Sequence, residues 1–300
     1  MPFGINIADK PFAEIQESAG LNWNIDRSPA MFMDEAGELR CSPQDVLYRS
    51  DTKDALSIVS SAYKEVQPAE LLGFYKDLVD LGGFKMSHVG HSFNGKKIWA
   101  MAEVGSEVNL YGVDKVEGYL VLVTSCDGSM ATQCFFTTVR MICDNMLNIA
   151  TSESSLEGNG IIKIRHTQEF NAQAVKEQLG LAPKMMEDFG IASKEMARRN
   201  LKHDEAIQFL VDIVGNPDKD IEEQENARAI KGIYELYDGK GKGSDLITAK
   251  GTLWGLVNGV TEYIDHHRGQ SADTRVHSAA FGSGSKTKSK AWSHAMEMVA

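Results

Sequence analysis

The stretch TEYIDHHRG, Thr261–Gly269, sets Asp265, His266 and His267 side by side, with Arg268 next. Carboxylate and imidazole are ordinary donors to divalent metals, so the triplet could serve phosphoester hydrolysis. Such ligands must converge on one ion. Leu253, Leu256, Val257, Val260 and Ile264 recur at helical spacing and predict a helix over about 250–267. Neighbours on a helix point about 100° apart. No Asp-x-Asp run lies beside an apolar strand to complete a metal site. The triplet is therefore expected on a last helical turn, where cations complement the negative end of the helix dipole. Metal-dependent nuclease or phosphoesterase chemistry stands as the alternative.

Other candidates are weighed in the same way. Cys143 follows Arg140 closely, but it lies in an apolar stretch with no histidine near it in sequence, as a small core residue would. DGKGKGSD, residues 238–245, is glycine-rich. It lacks the spacing of a phosphate-binding loop and no strand leads into it, so a helix–helix loop is expected, with Lys240 and Lys242 free to touch phosphate. IIKIRHTQ alternates, placing Lys163 and Arg165 on one face of a strand. Lys96 and Lys97 follow a hairpin tip, and Arg140 stands where a strand ends. Each of these suits either a groove that tracks a phosphate backbone or a solvated face, and for Arg140 the competing role is a salt bridge. Arg268 and Arg275 form a second group of candidate phosphate contacts. Phe93 and Trp99 suit either base stacking or a core.

These residues need elements to hold them. DVLYRSDTKDALSIVSSAY predicts two short strands about a polar turn at Asp51–Asp54. Pro68, the helical spacing of Leu71, Leu72, Tyr75, Leu78 and Val79, and the stop at Gly82-Gly83 predict a helix. Asn94-Gly95 predicts a two-residue hairpin turn, and Asp127-Gly128 a second hairpin. After Val139 the spacing of Ile142, Met146 and Ile149 predicts a helix. A further strand is expected around Ile161, then a helix from about Asn171 to Gly180. Beyond Pro183 helices are expected near 183–200, 203–214, 220–237 and 250–267, then mostly irregular chain from Gly269 to Lys290 and a short closing helix. The fold class is thus α+β: a curved antiparallel sheet with packed helices over residues 1–180, then a mainly helical region over 181–300 with a basic tail.

Composition narrows the function classes. Of 300 residues 42% are hydrophobic, enough for a core, and no apolar run approaches the length of a membrane span. The N-terminus lacks the pattern of a secretory signal. Four cysteines, Cys41, Cys126, Cys134 and Cys143, with no C-x-x-C pair, fit a reducing cytoplasm. Net charge is −11 overall, −5 over Met1–Ser60 and +3 over residues 266–300. A basic tail on an acidic body points to a polyanion partner or to a solvated tail. No cofactor motif is present.

Several segments together resemble a known family: RSDTKDALSIVSSAYKEVQPAELLGFYKDLVDLGGF, KKIWAMAEVG, GYLVLVTSCDGSMATQCFFTTVRMICDNML, IRHTQEFNAQAVKEQLGL, GTLWGLVNGVTEYIDH and SAAFGSGSKTK. They resemble, from about Trp23 to the C-terminus, the phage/plasmid-like family held as domain of unknown function 932. Where that family often has a form like VCNNTL, this chain has ICDNML, so Asp144 departs and Asn145 is kept. The resemblance implies a phage, prophage or plasmid origin and supplies no chemistry. The order of hairpins, strands and helix is also similar to that of phage single-strand annealing proteins, a likeness of topology alone. The resulting expectation is a non-enzymatic protein that binds single-stranded DNA and anneals strands as a homo-oligomer, ring or filament. Lys96, Lys97, Arg140, Lys163 and Arg165 would contact the backbone, with Arg268 and Arg275 behind them. A phage-encoded protein-interaction module is the further alternative.

Overall fold

The computed structural model of the chain describes residues 4–8, 10–82, 84–143, 145–148, 161–164 and 182–300. Its centre is a curled, seven-stranded antiparallel sheet. The strands are β1 (Ile5–Asn6), β5 (Lys85–Ser92), β6 (Lys97–Leu110), β7 (Asp114–Ser125), β8 (Thr132–Arg140), β9 (Asn145–Asn148) and β10 (Ile161–Ile164). The order is β1-β5-β6-β7-β8, and β9 and β10 share the outer edge of β8. β10 pairs Ile161 with Phe135, and β9 pairs Asn145 with Arg140. A three-stranded meander, β2 (Ile25–Met33), β3 (Leu39–Arg49) and β4 (Ala55–Ser60), stands beside it.

The apolar run GYLVLV in β7 is buried on both faces because the sheet is covered on both sides. One face, with Leu120, Leu122, Ile98 and Phe136, joins a core that takes in α1 (Phe12–Ser18), α2 (Pro68–Gly82), α3 (Ala182–Arg198), α4 (His203–Val214) and α7 (Leu253–Glu262). That core runs without a break from Ile7 to Ala295, so the C-terminal helices pack directly on the sheet. On the other face Trp99, Tyr119, Val121, Val123 and Phe135 pack against Val276 and Ala280 of α8 (Ala272–Phe281). Two short helices, α5 (Ile221–Gln224) and α6 (Arg228–Glu235), and a long last helix, α9 (Ser283–Val299), complete the C-terminal half.

Three expectations fail for identifiable reasons. Residues after Val139 do not form a helix: β9 pairs Met146 with Val139, so the three-and-four spacing of Ile142 and Met146 is coincidental. The long segment from Gly269 is helical, as α8 and α9. Ser271 accepts from the Thr274 N–H to cap α8, and α9 buries Lys288 among Gly284, Ala291 and Ala295, three small residues that let it lie close. The helix expected near 220–237 is broken into α5 and α6, whereas the one expected over 250–267 is found, as α7 followed by one π-helical turn at Tyr263–His267. The meander also adds β2, which lay unread. The expected helix over 171–180 lies outside the described residues.

Candidate functional site

The turn between β5 and β6 is the first part of the site. Ser92 pairs with Lys97, so four residues make the connection rather than the two expected at Asn94-Gly95. Phe93, Asn94 and Gly95 all take positive φ, at 52°, 57° and 88°. For a phenylalanine that conformation is costly and persists only where surroundings impose it. Asp273 of α8 accepts the Phe93 N–H at 3.0 Å, and His277, one helical turn on, sets its ring against the Phe93 ring edge at 5.8 Å. Asn94 donates to Asp54 at 2.8 Å, and a Cβ on Gly95 would stand 2.5 Å from the Trp23 ring. The tip is thus pinned between the meander and α8.

The β7–β8 turn closes the other side. Lys97 Nζ donates to Asp127 Oδ1 at 2.8 Å, and both are largely shielded from water. Burial works to raise the Asp127 carboxyl, but hydrogen bonds from Lys97 and Ser129 outweigh it and hold it below the usual carboxylate range. The Cys126 N–H donates to the Lys96 carbonyl at 2.8 Å, joining the two turns. Between these turns and α8 runs an open groove of about 690 Å³, lined by Phe93, Lys96, Lys97, Asp127, Ser129 and His277. Lys96 is half-buried there, and its ammonium has no ion-pair partner among the described residues. The Nδ1 of His277 is buried without a hydrogen bond among the described residues, and burial, aided by Lys97, lowers its pKa.

The other expected cations divide. Arg140 is a correction: it is 3% exposed and its charge is consumed inside the protein. Its Nε and Nη2 both donate to Asp114, at 2.8 and 2.7 Å, and Nη2 reaches the Gly243 carbonyl at 3.1 Å. The Asp114 carboxylate also accepts from Thr248 Oγ1 and Trp254 Nε1, each at 3.0 Å. Burial alone would depress the guanidinium pKa, and Asp114 raises it instead. A cation so enclosed has no face for a phosphate. Arg268 is exposed, and Arg275 Nε donates to the Arg268 carbonyl at 3.2 Å, on the approach to α8. Lys163 takes the register position opposite Gln133 on β10. Arg165 lies outside the described residues.

The Asp-His-His triplet falls on the closing turn of its helix, as the spacing predicts. Asp265 is buried and Lys288 of α9 donates to it at 2.6 Å, while its other oxygen accepts the Met146 N–H at 2.8 Å. Lys288 also donates to the Met146 carbonyl. His266 Nε2 donates to the Cys143 carbonyl at 3.0 Å, and His267 is exposed. Asp265 therefore holds an ammonium where a metal ligand was conceivable, and the three side chains do not converge. Among the described residues no three His, Cys, Asp or Glu side chains gather as a metal site. Burial also raises the Cys126 and Cys143 thiols to about 12, which removes the thiolate a nucleophile requires.

Asp114, Thr248, Trp254 and Lys288 are the participants that sequence reasoning passed over. Only the spacing of small residues around Lys288 signals its burial. No helix among the described residues is long and apolar enough to cross a membrane. No curated protein and no solved structure matches the chain. Residues 55–292, which contain both buried ion pairs and all of the groove's lining but Asp54, match the family described as a domain of unknown function (DUF932), and the chain belongs to that family.

Proposed function

We propose that this chain is a non-enzymatic, single-stranded DNA-binding protein of a phage or other mobile element, acting in the host cytoplasm as an oligomer that anneals strands. Annealing asks for no nucleophile and no metal. It asks for cations along a backbone path and for surfaces on which unpaired bases can rest. The observation that carries this reading is the groove lined together by Lys96, whose ammonium has no ion-pair partner among the described residues, and by the paired rings of Phe93 and His277. Lys97 supports it from beneath, bound to Asp127, and Arg140 has no part in it. Arg268, Arg275 and Lys163 are the further backbone contacts of this proposal.

Four lining charges, Lys96, Lys97, Asp54 and Asp127, balance, so the groove does not attract polyanions by charge alone. Affinity would come from Lys96, the cations near α8 and stacking, with the steep salt dependence of counterion release. A labelled oligonucleotide in an electrophoretic shift at low salt tests this. Retardation that weakens as salt rises supports it, and no retardation at micromolar protein sinks it.

A second reading, a protein-interaction module, has one observation in its favour. Met31, Phe32, Met33 and Leu39 lie exposed together at the far end of the β2–β3 hairpin, which precedes the family match. The same residues suit contacts between copies in an oligomer.

A further inference from the structure

A second cavity lies in the helical half, away from the groove. It measures about 370 Å³, within the size range of small-molecule sites. Most of its wall comes from the segment that joins α6 to α7, with Tyr234 of α6 and His203 of α4 on the other side. After Glu235 the helix ends in a kinked turn, Leu236–Lys240, in which Gly239 takes φ 126° and the Gly241 N–H donates to the Leu236 carbonyl at 2.9 Å. Here the turn brings Asp238 and Gly239 to the cavity edge, and a Cβ on Gly239 would meet nothing within 4 Å, so the backbone borders open space.

Two tyrosines form the aromatic wall. Tyr234 and Tyr237 stand edge to face at 5.8 Å. Tyr234 is held in place: its hydroxyl shares a 2.8 Å hydrogen bond with His203 Nδ1, and His203 Nε2 faces Glu225 at 3.1 Å. If Glu225 accepts the Nε2 proton, Nδ1 accepts from the tyrosine, and the ring is fixed by a relay whose charges are already satisfied. Tyr237 is buried, its hydroxyl makes no hydrogen bond among the described residues, and burial raises its pKa to about 12. The wall is therefore neutral, rigid and electron-rich.

The charges around it are unequal. Asp238 and Asp245 line the cavity, and neither carboxylate has a hydrogen bond or ion pair among the described residues. Lys250 is the only cationic lysine or arginine among the lining residues, and it too has no partner there. Lys240, on the same turn, is bound by Glu235 at 3.0 Å. Two free carboxylates against one free ammonium disfavour a phosphate or another carboxylate. Tyrosine faces attract a cation through the ring quadrupole, and most strongly a weakly hydrated one. A bare sodium ion, small and well hydrated, gains little from rings, whereas an alkylammonium or guanidinium gains from both rings and carboxylates.

We propose that the cavity bounded by Tyr234, Tyr237, Asp238 and Asp245 binds a small organic cation bearing an ammonium or guanidinium group. This site does not depend on the nucleic-acid groove. The test is a titration of the full chain with ethylguanidinium chloride and with tetramethylammonium chloride, followed by nuclear magnetic resonance. Sodium chloride at matched ionic strength and sodium acetate are the controls. The expected result is saturable shifts with roughly millimolar affinity, and Asp238→Asn and Asp245→Asn each weaken it about fivefold or more. Both side chains are exposed and unpaired, so the variants should melt as the parent does. Shifts that do not saturate, or that persist in both variants, mean an adventitious additive only and overturn the site. Preferential saturation by acetate overturns the assignment to a cation.

Discussion

Lys288 Nζ lies 2.6 Å from Asp265 Oδ1, and both side chains are at most 1% exposed. This pair fastens α9 and the π turn after α7 to β9, since Asp265 also accepts the Met146 N–H and Lys288 donates to the Met146 carbonyl. Burial raises the carboxyl pKa and lowers that of the ammonium, and each charge opposes the shift of the other. Removing either partner leaves a buried charge alone. Asp265→Asn and Lys288→Met are each expected to cost about 3–5 kcal/mol, and the double variant clearly less than the sum. Chemical denaturation of all four proteins checks this. Additive losses would mean that the pair contributes no coupling.

The Arg140–Asp114 pair makes a different prediction, because it separates stability from binding. Arg140→Lys keeps the charge and loses the fork of donors that meets Asp114 and Gly243 together. The expected cost is about 1–3 kcal/mol in unfolding free energy, with oligonucleotide affinity per folded molecule unchanged. Weakened binding at an unaltered melting temperature would return Arg140 to the interface.

What could be read from the chain follows the range of the interactions. Alternation and turn residues are local, so β5 through β8 and their two hairpins were legible, as were α2, α3, α4 and α7. The double-sided burial of β7 was not, because α8 that covers its second face resembles a linker in composition. The same camouflage hid α9: a run of Gly, Ser and Lys has the look of a solvated tail until Gly284, Lys288, Ala291 and Ala295 are seen on one buried face. For the site, Lys96 and Lys97 were legible as neighbours of a turn. That Lys97 would face Asp127, and Arg140 Asp114, was not, since partners 30 and 26 residues apart leave no local pattern. The triplet at Asp265 suggested a metal because composition cannot tell a carboxylate aimed at an ion from one aimed at a lysine.

Neighbouring Lys96 and Lys97 should behave oppositely. Lys96 has no ion-pair partner among the described residues and faces the groove, so Lys96→Ala is expected to weaken oligonucleotide binding several-fold, to lower the salt slope by about one, and to leave melting unchanged. Lys97→Ala leaves Asp127, partly shielded from water beside Ser129, without its cation, so the loss falls on stability first. Binding isotherms at several salt concentrations, beside melting curves, separate the two. An unchanged salt slope in Lys96→Ala would remove that residue from the proposed path.

The last prediction concerns pH and the helix that closes the groove. His91 faces Arg49 and Asp273, and His277 faces Lys97 and Asp127. Burial lowers both imidazoles below the ordinary value of 6.5, with the nearby cation adding to it in each case. The unfolded chain therefore takes up these protons at a higher pH than the folded one. Their contribution to stability is complete above about 6.5 and is lost as the pH falls through the folded values. Melting temperature should accordingly decline between about pH 7.5 and pH 5, and His277→Gln should flatten part of that decline. A phosphate backbone in the groove favours the charged imidazole, so a bound oligonucleotide should raise the His277 pKa and soften the same decline. Imidazole resonances followed with and without oligonucleotide measure this directly. A His277 titration that oligonucleotide leaves unmoved would mean that the groove beside α8 is not where the strand lies.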